Sequence, residues 1–319
     1  PSAARTMGVP HPSRRSDRDP IARPVTEEEL PMSLTERELH EITRINESGR
    51  QPVLLVHGLW LLAGSWARWE SYLERRGFAP LALDWPGDPA SVEEARADPA
   101  QLAGTGIQEV ATHIEDVTGR LTPRPAVVGH SVGGLLAQMI AGRGASVATV
   151  AIDPAPFKGV RGLAGSVVKS SLPVLRNPAN RRRAVTLTFD EFVYGFANAV
   201  PTEEARALYD EFHVAAPGRP VFQIAFADLS FSGATRVDTK NEDRGPLLIV
   251  SGGADHTVPP SVATGAHRKQ AKNSAPTQLV ELDGAGHSLV IDHRWEEVAG
   301  VTVDFLERSL VGTDERQPS

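Results

Sequence analysis

Apolar residues along the chain gather into short unbroken runs, separated by stretches in which they recur at helical spacing. "PVLLVHG" (residues 52–58), "FAPLALDWPG" (78–87), "AVVGH" (126–130) and "SVATVAID" (146–153) are four such runs. "PLLIVSGGAD" (246–255) and "TQLVELDGAGH" (277–287) complete the set. Runs without strict alternation suit strands covered on both faces. Helical patterns lie over residues 65–75, 104–120, 135–143 and 295–310, and an earlier one carries Leu34, Leu39, Ile42 and Ile45 on one face, closed by Gly49. Strands alternating with helices predict an α/β fold: a mostly parallel sheet wrapped by helices.

One interval breaks the rhythm. About ninety residues separate Asp153 from Pro246, where a crossover needs as few as ~10–12. The segment contains "TFDEFVYGFANAV" and "PTEEARALYDEFHV", both helical in pattern. The expected organisation is a core over 34–155 and 241–312 with a helical lid over 156–240. A Pro/Arg-rich leader over 1–33 and a tail over 313–319 are expected to be disordered.

Composition changes this picture little. The 319 residues are 40% hydrophobic and 23% charged, ordinary globular usage. A net charge of −7 gives no general attraction for nucleic acid. With no cysteine, disulfides, thiolate metal sites and cysteine nucleophiles are excluded. No run approaches the ~18 apolar residues of a membrane-spanning helix. The leader's arginines, including Arg14 and Arg15, have no apolar run behind them, so no secretory signal is read there and a cytoplasmic protein is expected.

Candidate chemistry begins in "VVGHSVGGLLAQ". Gly129-His130-Ser131-Val132-Gly133 is a G-x-S-x-G pentapeptide placed where a buried strand ends and a helix begins. Such a turn projects the serine Oγ outward, toward backbone N–H groups that favour negative charge. A serine hydroxyl needs a base, and the base an orienting group. Asp255 ends the strand "LLIVSGGAD", and His287 follows the last strand in a loop made pliable by Gly284 and Gly286. The order Ser131, Asp255, His287 is the one a nucleophile-elbow hydrolase requires.

With "LLVHG", "VVGHSVGGLLAQ", "LLIVSGGADHTVP" and "GAGHS" together, the chain over about residues 51–310 resembles the α/β-hydrolase-fold serine hydrolases, of the lidded esterase or lipase type. The resemblance implies that the His57-Gly58 turn is the oxyanion loop, with the Leu59 and Val132 amides as donors. It implies an acyl-enzyme route on a carboxylic ester, with no cofactor and no metal, and the mostly apolar lid suggests a small to medium hydrophobic substrate. Two departures stand out. The antiparallel strands usual before the first parallel one are not evident, so about six strands are expected. The loop after "LALD" reads Trp85-Pro86-Gly87-Asp88 rather than a PGHG-type run.

Other residues carry weaker expectations. Asp153 rivals Asp255 as the acid, because some members of the fold carry it after the preceding strand. His57, Trp60, Trp85, His130, Phe189, Phe192 and Phe196 are possible pocket residues. His57 and His130 also suit structural roles, and the three phenylalanines suit lid packing. Leu61 and Leu62 are expected to help Leu59 and Trp60 wall the pocket. Arg181, Arg182 and Arg183 read as a solvated charged face. The alternatives on the same triad are C–C hydrolase, thioesterase, lactonase and haloperoxidase-like chemistry. A ligand-sensing receptor using the same pocket is a further alternative.

Overall fold

The computed structural model describes residues 34–160, 165–230 and 233–314. The expected leader, and residues 315–319 of the expected tail, lie outside them. The first element is α1 (Glu36–Ser48). Thr35 Oγ1 accepts the Glu38 amide and the Glu38 carboxylate accepts the Thr35 amide, a reciprocal cap, and Gly49 ends the helix at φ 63°. Ile42 and Ile45 are buried, whereas Leu39, expected on the same face, is exposed.

The strands follow in chain order as β1 (Pro52–Val56), β2 (Ala79–Leu83), β3 (Ala126–His130), β4 (Thr149–Ile152), β5 (Ala184–Val185), β6 (Ala216–Pro217), β7 (Leu247–Gly252) and β8 (Thr277–Leu282). Six of them form one sheet in the order β2-β1-β3-β4-β7-β8, with every neighbouring pair parallel. The remaining two, β5 and β6, pair separately as an antiparallel ribbon. The six-stranded α/β sheet expected from the apolar runs is therefore present.

The further helices are α2 (Ala67–Arg75), α3 (Val92–Ala97), α4 (Ile107–Thr118), α5 (Val132–Gly142), α6 (Gly165–Leu175), α7 (Phe189–Gly195), α8 (Thr202–Phe212), α9 (Arg219–Ala225), α10 (Pro260–Gln270) and α11 (Trp295–Asp314). The last reaches two residues beyond the expected core boundary at 312. Between β4 and β7 lie α6, α7, α8 and α9 with the β5–β6 ribbon. Among the described residues no helix is long and apolar enough to cross a membrane.

Strand residues send alternate side chains to opposite faces. Leu54, Val56, Val127 and Ile249 meet Ile45 of α1, Ile114 of α4, Leu136 of α5 and Val262 of α10 on one face. Val53, Leu55, Val128 and Val250 meet Trp69 of α2, Phe305 of α11 and Phe192 of α7 on the other. Both faces of β1, β3, β4 and β7 are buried, which is why those segments read as continuous apolar runs rather than alternating ones.

The sheet order also places the site. From β1 the chain passes to β2 on one side and later to β3 on the other. The connections thus diverge between β1 and β3, and a crevice opens at the carboxyl ends of strands at such a point.

Candidate active site

Ser131 stands in that crevice, between the end of β3 and the start of α5. Its backbone takes φ 56°, ψ −118°, a left-handed conformation rare for a residue with a side chain. The turn is locked on both sides: the Ser131 amide donates to Ile152 O at 2.9 Å, and its carbonyl accepts from Leu135 N and Ala155 N. Glycine is required beside it. A Cβ on Gly129 would fall 2.1 Å from Gly133 O, and one on Gly133 would fall 2.1 Å from Val56 O. Across the crevice, a Cβ on Gly58 would lie 2.8 Å from the Ser131 Cβ, so the turn after β1 also passes very close.

His287 approaches from the loop after β8. Ala254 N donates to Ala285 O and Gly253 N to Leu282 O, binding this loop to the end of β7. Downstream, the Trp69 indole N–H donates to Val290 O at 2.8 Å. Held at both ends, His287 sets Nε2 3.0 Å from Ser131 Oγ and Nδ1 2.6 Å from Asp255 Oδ2. The second oxygen of Asp255, Oδ1, accepts the amides of Thr257 at 2.7 Å and Val258 at 2.9 Å. Three side chains distant in sequence thus form one hydrogen-bonded chain, with all three residues buried.

Beneath this chain are two further buried polar side chains. His130 Nε2–H donates to the His287 carbonyl at 3.0 Å. Burial, followed by electrostatic interaction with the neighbouring His287, holds its imidazole well below the ordinary histidine value, so His130 is neutral. Asp153 is fully buried after β4, and Gly252 N donates to its Oδ1 at 2.7 Å. His130, Asp153 and His287 bring one potential ligand atom each within 4.8 Å of one another. Both His287 nitrogens and His130 Nε2 are already engaged, so a metal bound there would have to break the Ser131–His287–Asp255 chain.

A cavity of about 390 Å³ opens over Ser131 and His287. Leu59, Trp60, Val132, Ala155, Phe157 and Val258 wall it from the sheet side, and Val160, Val167, Leu187, Phe196, Val221 and Ile224 from the segment between β4 and β7. Among the described residues, its ionisable lining besides His287 includes Glu191 and Asp228, which accept the amides of Thr188 and Gly159.

A model of the alpha/beta hydrolase family matches residues 53–301, most of the chain. The chain belongs to the alpha/beta hydrolase family. No curated protein matches it in sequence. Solved structures share this hydrolase's fold at low identity. A monoacylglycerol lipase from Paleococcus ferrophilus is 23% identical with a TM-score of 0.58, over 80% of this chain and 93% of its own. An extracellular alpha/beta-hydrolase from a Paenibacillus species is 20% identical, TM-score 0.55, over 80% and 98%. A pyrethroid hydrolase from Sphingobium faniae is 16% identical, TM-score 0.54, over 81% and 97%.

Several residues expected to line this hydrolase's pocket do not. His57 is buried under the turn, with Nε2 3.0 Å from Asp88 Oδ2 and Nδ1 2.8 Å from Gly58 O, and it stacks on Trp85. Trp85, itself buried, belongs to that brace. His130 lies below the cavity floor. Leu61 and Leu62 turn into two separate apolar clusters. Phe192 is fully buried against Tyr209, His213 and Phe196. Phe189 packs on Tyr209 beneath the Arg206 guanidinium. The physical reason is position along α7: Phe196, at its C-terminal end, stacks on Phe192 yet lies next to His287, which it meets edge-on at 5.1 Å, whereas Phe189 and Phe192 lie farther back toward Tyr209. Arg181, Arg182 and Arg183 are exposed.

Other lining residues escaped the sequence reading. Ala155 and Phe157 follow the carboxyl end of β4, and Val258 follows that of β7. The position just after a parallel strand was their available signal. Val221 and Ile224 lie on the seven-residue α9, which is too short to show helical periodicity.

Proposed function

We propose that the protein hydrolyses carboxylic esters of small to medium, uncharged, largely apolar substrates through an acyl-enzyme. In this reading Ser131 is the nucleophile, His287 the general base and Asp255 the group that fixes the imidazole. The observation that carries it is the hydrogen-bonded chain Ser131 Oγ–His287 Nε2 (3.0 Å) and His287 Nδ1–Asp255 Oδ2 (2.6 Å) at the floor of an apolar cavity.

Asp255 accepts the Nδ1 proton, which leaves Nε2 bare to take the proton of Ser131 as Oγ attacks the ester carbonyl. The oxyanion forms beside the start of α5, whose first amides have no partner within the helix. Val132 supplies one donor and Leu59, from the turn after β1, the other. One such donor is typically worth ~10²–10³ in rate. His287 then gives its proton to the leaving alcohol and activates the water that frees Ser131. The helical segment over 156–240 serves as a cap, since it furnishes one wall of the cavity. A volume of about 390 Å³ with apolar walls suits a compact, uncharged acyl or alcohol group.

The test is turnover of a series of short-chain p-nitrophenyl esters by the purified protein and by Ser131→Ala. The wild type should hydrolyse them and the variant should lose at least ~10⁴-fold in kcat. Equal activity in the two proteins would refute the assignment.

A further inference from the structure

We propose that Asp153 is a positioning residue that keeps its proton and donates it as a hydrogen bond to the Asp255 carboxylate, so that the two acids carry a single negative charge behind His287. The proposal rests on the reading of Ser131, His287 and Asp255 given above and adds a fourth side chain to it.

Asp153 follows β4, next to β7: its amide donates to Val250 O at 2.8 Å, Gly252 N donates to its Oδ1, a carboxyl oxygen lies within 4.8 Å of a His287 ring nitrogen, and its carboxyl interacts with that of Asp255. It is fully buried and its backbone sits at φ 40°, a left-handed conformation that an L residue rarely adopts. Two carboxyl groups in contact away from water do not both ionise; one retains a proton, and the pair shares it. Which of them holds the charge follows from the donors. Asp255 receives three: the Thr257 and Val258 amides on Oδ1 and His287 Nδ1 on Oδ2. Asp153 receives one, Gly252 N on Oδ1. Its Oδ2 is buried and no N–H or O–H donor from another residue reaches it. An ionised Oδ2 would be an unpaired buried charge, whereas a protonated one is itself a donor, with Asp255 in hydrogen-bonding reach.

The groups facing Asp153 agree. Asp255 and Asp292 are acids, His130 is neutral, and His287 is bound to Asp255. Burial first, then the charge of Asp255, push the Asp153 carboxyl well above the ordinary range. Asp292 is likewise pushed up by burial, and Ser288 Oγ donates to it. The consequence for the reaction is twofold. A hydrogen bond from Asp153 holds the Asp255 carboxylate in the plane that faces Nδ1. A single charge, rather than two, lets His287 release its proton when the acyl-enzyme is hydrolysed.

Two variants and one spectrum decide it. Asp153→Asn keeps the shape and a donor but cannot ionise, and Asp153→Leu removes the donor. Leu should lower kcat toward a short p-nitrophenyl ester by roughly 10- to 100-fold with KM little changed, the effect of one hydrogen bond to a charged group. Asn should rescue most of that loss, with the acid limb of the kcat/KM profile unmoved. An Asn variant as impaired as Leu, or a Leu variant equal to wild type, would overturn the proposal. Independently of activity or of the Leu variant's folding, the infrared difference between wild type and Asp153→Asn at neutral pH should contain a protonated-carboxyl C=O band that shifts in D₂O. Absence of that band also overturns it. The infrared result stands even if Ser131→Ala retains activity, so failure of the catalytic reading and failure of this one are separable.

Discussion

Trp60, Ser131 and Asp153 are the non-glycine residues with positive φ among those described, at 65°, 56° and 40°. They follow β1, β3 and β4, three neighbouring strands, and each touches the site: Trp60 walls the cavity, Ser131 lies at its floor and Asp153 backs Asp255. Each such conformation costs of order 1–3 kcal/mol and persists only where the surroundings enforce it. Here the enforcement is visible in the close packing of Gly58, Gly129 and Gly133 and in the Ser131 backbone bonds. The serine, histidine and Asp255 were legible in sequence because each follows a strand in a fixed chain order. The proton arrangement beneath them was not, because it depends on which buried oxygen receives which amide. Asp255→Asn tests that arrangement at the level of one atom. The amide can present its NH₂ to Nδ1, leaving the imidazole in the wrong tautomer, and kcat should fall ~10⁴-fold with folding intact by circular dichroism. A loss under tenfold would point to another acid.

The strands of the sheet and the segment between β4 and β7 differ in how far the sequence announces them. β1, β3, β4 and β7 are buried on both faces and so appear as apolar runs. In the segment between β4 and β7, α6 carries Pro173 inside it and α9 is only seven residues long, so neither has a readable period. Side-chain direction was hidden for the same reason: Phe192 and Phe196 are four apart, yet one is core and the other cavity wall. Around the end of α7, Thr257 Oγ1 donates to Gly195 O, His256 Nδ1–H donates to Tyr194 O and Asn198 Nδ2 donates to Ala254 O at 2.7 Å. That end of α7 is thereby sewn to the loop holding Asp255. Leu172 of α6, and Phe226 and Leu229 after α9, are exposed. Substrate size should therefore be set from the α9 side without disturbing the acid. Ile224→Trp, half-buried on the cavity wall, should cut kcat/KM for longer acyl chains by about tenfold or more while sparing acetate esters, a steric cost of one or two methylenes' worth of pocket. Equal loss for all chain lengths would contradict this division of labour.

Across the whole molecule, the sheet holds two apolar faces together, and polar pins fasten the periphery to them. Arg244 is fully buried, bonded to Gln270 Oε1, Ala275 O and Thr277 Oγ1, and joins α10 to the start of β8. Glu38 pins α1 to α4 through His113 Nε2 at 2.7 Å, while also capping its own helix. Burial pushes the Glu38 carboxyl up, but the hydrogen bonds from His113 and Thr35 outweigh it and hold the group below its ordinary value. A carboxyl with a lowered folded value stabilises above the ordinary carboxylate range, and that stability is lost as pH falls through the folded value. Glu38→Gln should therefore destabilise by about 1–3 kcal/mol at neutral pH, as donors lose a charged acceptor. In denaturant titrations the gap to wild type should shrink on acidification; a gap that stays constant contradicts the linkage. The central claim concerns one oxygen atom, and the most direct measurement is covalent. Wild-type protein treated with a fluorophosphonate and mapped by peptide mass spectrometry should carry a single adduct, on Ser131, and Ser131→Ala should carry none. An adduct on any other residue, or undiminished labelling of the variant, would contradict the account.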